Sequence, residues 1–116
     1  MESILTSIKK PLGYEAETTA FDDDIIMHIN SVFADLAQIG VGPKEGFSIS
    51  DANTTWRDYT DDDPLLANVK QYVYLKVRLV FDPPTNSSVL ASYEKTIERL
   101  EWRLNVAADK PEESEV

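Results

Sequence analysis

Apolar positions recur along this chain in patterns that separate four elements. Near the N-terminus Ile4, Leu5 and Ile8 stand at helical spacing, and Pro11 and Gly13 follow, which predicts a short amphipathic helix over Met1 to Lys10. From about Phe21 to Ile39 the residues Ile25, Ile29, Val32, Leu36 and Ile39 recur at alternating steps of four and three. Ile26, Phe33 and Ala37 widen that stripe, so a second helix is predicted. Thr18 or Thr19 caps it, Asp22, Asp23 and Asp24 favour the positive end of its dipole, and Gly40 and Gly42 stop it.

After Gly42 the period changes. Phe47 and Ile49 alternate with Ser48 and Ser50, and the turn-forming "DANT" precedes Thr55 and Trp56. Residues 43–60 therefore read as either a short β-hairpin or a long ordered loop. A connection of this length carrying Phe47, Trp56 and Tyr59 either lids its own core or makes contacts elsewhere.

Residues 64–81, "PLLANVKQYVYLKVRLVF", carry conflicting signals. Their alternation of β-branched and basic residues argues for a strand. Against it, Asp63 followed by Pro64 suits a helix start, and eighteen residues is long for a strand. Ala67, Lys70, Gln71, Tyr74 and Arg78 share one helical face, leaving only Lys76 to snorkel. The prediction is a buried helix. Pro83 and Pro84 then force a corner after Phe81 and Asp82, because each proline removes a donor and disfavours helical geometry in the residue before it. Thr85, Asn86 or Ser87 caps a fourth helix, whose seam runs Leu90, Tyr93, Ile97, Leu100, Leu104 and Ala107. So short a connection makes the last two helices an antiparallel hairpin. On the outer face Lys95, Arg99 and Arg103 form a stripe at intervals of four, with Glu94, Glu98 and Glu101 beside it. The fold class is mainly α: a four-helix bundle-like domain over residues 1–108, followed by an acidic tail, 109–116, with nothing to bury and expected to be disordered.

Composition narrows what such a domain does. At 116 residues the chain is one domain in size. It has no cysteine, which excludes disulfides and thiolate metal sites and suits a reducing cytosol. The apolar stretch at the N-terminus is too short for a signal peptide, and no run reaches the length of a membrane span, so no membrane partner is expected. A net charge of −10 opposes the counterion-releasing contacts on which DNA binding rests. The charge is uneven: residues 1–63 carry four basic and thirteen acidic side chains, whereas 64–107 carry six and four. That basic segment either seats an acidic surface of a neighbouring copy or is an ordinary solvated mixture.

Catalytic chemistry is sparse. His28 is the single histidine and has no thiol or second imidazole to work with, so it reads as structural or surface. The runs Asp22–Asp24 and Asp61–Asp63 match no calcium loop, and each precedes a helix where acidic residues serve as caps. Gly40, Gly42 and Gly46 flank a proline and fit no phosphate loop. No catalytic residues, metal or cofactor are expected. What remains is an interaction or assembly protein.

Four stretches add a family. "DIIMHINSVFADLAQIGVGP", then "FSI" and "TTW", then "VKQYVYLKVRLVFDPPTNSSVLASYEKTIERLEWRLNV" occur in that order, and the chain so read resembles the head-tail connector proteins of long-tailed bacteriophages and prophages. The most specific parts are "YVYLKVRLVFDPP" and "LEWRLNV". The resemblance implies a structural, non-enzymatic virion assembly protein: a homo-oligomeric ring that docks beneath the portal protein and extends the DNA exit channel towards a tail completion or tail terminator protein. It places the protein at the head-tail junction of the virion, and in the host cytoplasm before assembly. DNA would pass through without sequence-specific binding, and an acidic lumen would repel its phosphates.

On the family's pattern Phe81, Asp82, Pro83 and Pro84 form a structural corner, and Glu101, Trp102, Arg103 and Leu104 align as fold determinants. Phe47, Trp56, Lys95, Arg99 and Arg103 are the candidate subunit contacts, being aromatic or basic groups that the helical reading leaves partly outside the core. For the basic trio the alternative is pairing with neighbouring glutamates. In relatives the C-terminal segment contacts the portal, which here implies residues 105–116, among them Asn105, Val106, Glu112 and Glu113. The competing reading of the same acidity is a monomeric or dimeric DNA mimic, or an inhibitor of a host enzyme, with carboxylates spaced like phosphates.

Overall fold

A computed structural model describes residues 2–108; the tail expected at 109–116 lies outside the described residues. The first helix, α1, spans Ile4–Leu12. The Ser3 side chain accepts from Thr6 N at 3.2 Å and caps it. The predicted stop at Lys10 is too early. Pro11 sits inside the last turn, where it forfeits only the bond to the Ser7 carbonyl, and Gly13 ends the helix in the left-handed region at φ 99°. This helix belongs to the core, since Ile4, Leu5, Ile8 and Leu12 are all buried.

The second helix, α2, spans Asp22–Gln38 and has the three aspartates in its first turn. Neither threonine caps it: Phe21 holds the N-cap position without a side-chain hydrogen bond. Its buried stripe is Ile25, Ile29, Val32, Phe33 and Leu36. Residues 43–55 then run as loop, and among the described residues there is no strand. Asn30 pins this loop to α2 by mimicking a strand partner: its side-chain amide donates to the Ile49 carbonyl at 2.9 Å, and its Oδ1 accepts from Ile49 N at 2.8 Å. A single antiparallel bridge joins Ser3 to Thr55. One helical turn, α3 (Trp56–Tyr59), closes the connection.

The fourth helix, α4, spans Asp63–Phe81, so the helix reading of the ambiguous stretch holds. Its cap is one residue earlier than expected, with Asp62 accepting from Leu65 N at 3.1 Å. The last helix, α5, covers Ser87–Ala108. Asn86 caps it through Oδ1, which accepts from Ser88 N at 2.8 Å and Val89 N at 3.2 Å. Helices α2 and α5 both pack on α4, and α1 lies across α2 and α4. The core therefore forms around α4, whose Val69, Val73 and Val77 are fully buried. One face of each of the other helices turns towards it.

Candidate assembly surface

The hairpin of α4 and α5 is built from its corner outward. Asp82 N donates to the Arg78 carbonyl at 3.0 Å, closing α4. Arg78 reaches past the helix end, donating from Nε to the Asp82 carbonyl at 2.7 Å and from a guanidinium NH to Tyr74 Oη at 3.0 Å. Its guanidinium lies 5.9 Å from the Tyr93 ring centre, tying the end of α4 to the start of α5. Phe81 turns the other way, stacking edge-on at 5.9 Å with Tyr14 and with Phe21. His28 joins the same cluster, half-buried and 6.3 Å from Phe81. Pro83 and Pro84 separate the two helices as the sequence requires.

Further along, a polar cluster joins three helices. Tyr72 Oη donates to Glu101 Oε2 at 2.9 Å, and burial together with this bond pushes the phenol well above its ordinary pKa. Lys76 snorkels out of the α4 seam to lie 3.6 Å from Asp35 of α2 and 3.9 Å from Glu101 of α5. It also lies 5.4 Å above the Tyr72 ring. The inner face of α5 is thus fixed by Ile97, Leu100 and Leu104, which are buried, and by Glu101 at its edge. Ala107, expected to close that seam, is exposed.

The outer face of α5 has no such partners. Lys95, Arg99 and Arg103 are exposed, and among the described residues they make no ion pair, so the alternative of pairing with Glu94, Glu98 and Glu101 does not form. Trp102, which the sequence aligns as a fold determinant, is 68 % exposed, and Val106 is 49 % exposed. Asn105 is exposed on the flank. Glu112 and Glu113 lie outside the described residues.

The two aromatic candidates sit elsewhere. Trp56 is 0 % exposed. Its indole N–H donates to Ser7 Oγ at 2.8 Å, and that hydroxyl passes the bond on to the Ile4 carbonyl at 2.9 Å. Phe47 is half-buried and packs edge-on, 5.0 Å from both Phe33 and Tyr59. Both side chains lid their own core, and Trp56 has no area left for a neighbour.

The acidic runs act as helix starts. Asp22 lies 2.8 Å from the buried Lys9 ammonium, Asp62 caps α4, and Asp63 pairs with Arg57. Among the described residues no group of three or more His, Cys, Asp or Glu is placed to hold a metal ion. No helix of the described residues is long and apolar enough to cross a membrane.

Compared with curated proteins and with solved structures, the chain gives no match. A family model does match it, over nearly its whole length. Residues 4–111 fit the family described as phage connector protein, and with this helical hairpin fold the chain belongs to that structural family of the bacteriophage particle.

Proposed function

We propose that copies of this chain close into a ring that docks on the portal of a phage head and carries the DNA exit channel on to the tail. The observation that carries this reading is the outer face of α5: Lys95, Arg99 and Arg103 are exposed and unpaired among the described residues, on a chain whose net charge is −10. A ring needs two different, complementary faces on each subunit, since a head-to-tail contact closes only when one patch fits another. A basic face on an acidic body meets that requirement. The slab-like shape, with Cα extents of 50 × 35 × 20 Å, offers broad flanks for such contacts. The remaining acidic surface suits a channel along which DNA slides, because it repels phosphates rather than gripping them.

In this reading Lys95, Arg99 and Arg103 serve the subunit contact. Asn105 and Val106, exposed near the end of α5, lead into the portal-facing segment together with Glu112 and Glu113. The corner of Phe81, Asp82, Pro83 and Pro84 keeps the hairpin stiff. Tail completion proteins would meet the opposite side of the ring. The test is deletion of the gene from a phage or prophage that carries it. Heads should fill with DNA yet remain tailless, and the intact chain supplied from a plasmid should restore tails. Normal tail attachment without the chain would refute the reading.

A further inference from the structure

We infer that the outer seam of α5 packs against the outer stripe of α2 on the next copy of this chain. The inference rests on the ring reading above and names the two faces that it needs.

Helix α5 carries two opposed seams. The inner one is buried, and on the other side Lys95, Arg99, Trp102 and Val106 follow at steps of four, three and four, which aligns them along one line of the helix surface. An indole 68 % exposed beside a valine 49 % exposed is apolar area left open among the described residues. Tryptophan and arginine together are the residue types that dominate binding energy at protein interfaces.

Helix α2 offers the counterpart. Asp23, Asp24, Met27, Ser31 and Ala34 are all exposed, and Met27 is 59 % exposed. Asp22 is engaged by Lys9, but among the described residues Asp23 and Asp24 form no ion pair. The small side chains of Ser31 and Ala34 let another helix approach closely, and a methionine thioether is a favourable neighbour for an indole.

Charge decides which faces can meet. Two α2 faces brought together would set aspartate against aspartate, whereas the outer line of α5 carries Lys95 and Arg99, with Glu94 and Glu98 exposed beside it. Setting α5 against α2 gives the aspartates of α2 a basic line to meet. Repeated from copy to copy, a contact between two unlike faces is the heterologous kind that a ring requires. Helices α2 and α5 each pack on α4 rather than chiefly on one another, so neither outer face is taken up by the other helix.

The test uses the full chain in sedimentation velocity over a concentration series at low salt, with the urea midpoint of each variant as a folding control. The wild type should assemble as concentration rises. Trp102→Ala should weaken association roughly thirtyfold, the size of a hot-spot loss. Arg99→Glu with Arg103→Glu, or Asp23→Lys with Asp24→Lys, should abolish assembly. The chain carrying all four reversals should assemble again, because both faces have exchanged sign. If either reversed pair assembles like the wild type, or the fourfold variant assembles no better than the pairs, the inference is overturned while the ring itself stands. A wild type that stays monomeric at millimolar concentration overturns it as well, and the tail-attachment phenotype then judges the ring reading separately.

Discussion

Replacing Lys9 with methionine would test how the N-terminal third is held together. Lys9 is 2 % exposed. Its ammonium lies 2.6 Å from the Thr18 carbonyl, 3.2 Å from the Ala16 carbonyl and 2.8 Å from Asp22 Oδ1. The contact with Asp22 is an ion contact without an accompanying hydrogen bond. One cation thus binds the connection between α1 and α2 and the start of α2. Methionine keeps most of the volume, so the cavity term is small and the loss is electrostatic. Removing one partner of a buried pair costs about 3–5 kcal/mol. Asp22 is 21 % exposed and the freed carbonyls sit in an exposed connection, so water recovers part of that and about 2–3 kcal/mol is expected. For a domain stable by about 5–15 kcal/mol this is a large fraction, and it lowers the urea midpoint by roughly 1–2 M. The assay is urea unfolding followed by Trp56 fluorescence in a Trp102→Phe background. Adding Asp22→Asn to Lys9→Met should restore about 1 kcal/mol by removing the orphaned carboxylate. A single variant within about 0.5 kcal/mol of the parent, the size of an ordinary surface change, would refute this account.

Trp56→Ala should cost about 3–5 kcal/mol in urea unfolding because it empties a fully buried site, whereas Trp102→Ala should stay within about 0.5 kcal/mol. The Tyr59 hydroxyl is buried without a hydrogen-bond partner, and burial pushes its pKa from 10.0 up to about 12. The folded value lies above the unfolded one, so its contribution is complete below pH 10 and is lost as pH rises towards about 12. Tyr59→Phe should flatten that alkaline fall in thermal melts, leave the part due to Tyr72, and at neutral pH be neutral or stabilising by about 1 kcal/mol. Gly13→Ala and Gly42→Ala both place a side chain at positive φ, at about 1–2 kcal/mol each. A Cβ on Gly42 would also meet Tyr59 Oη at 2.6 Å, while one on Gly13 meets nothing within 4 Å, so Gly42→Ala should lower the melting temperature further.

The fold was legible where one physical signal outweighed its rivals. In α4 the alternation of valines imitated a strand, but Asp63 followed by Pro64, a run of eighteen residues and one polar helical face argued for the helix that forms. The corner itself follows from two imino acids and needed no tertiary information. Capping was less legible because several short polar residues compete for each position. Thr18 and Thr19 were plausible caps for α2, yet the connection places Phe21 there, drawn by its packing on Tyr14 and Phe81. Lys9 was invisible: nothing local marks a lysine whose partners stand seven, nine and thirteen residues further on. The same holds for Asn30, whose partner Ile49 lies nineteen residues away and fastens the segment that the sequence left open between a hairpin and an ordered loop.

The assembly surface shows what periodicity leaves undecided. In α5 the series 93, 97, 100, 104 and the series 95, 99, 102, 106 share the same steps, so spacing alone marks both as seams and does not say which one the subunit buries. The family's pattern drew Trp102 into the fold and aromatic character drew Trp56 towards an interface, yet Trp102 is 68 % exposed and Trp56 is fully buried. Charge was the better guide. A seam carrying Lys95 and Arg99 enters its own core only at a desolvation cost of several kcal/mol per ion, whereas Tyr93, Ile97, Leu100 and Leu104 bear none. Trp102 belongs to the charged series and must share its side of the helix. Trp56 follows Thr55 at the start of a single turn whose backbone is held by Glu2 and whose indole is held by Ser7, and those contacts leave it no side but the inside. Aromatic content therefore drew attention to both tryptophans, and the charge of their helical neighbours indicates which of them the subunit leaves exposed.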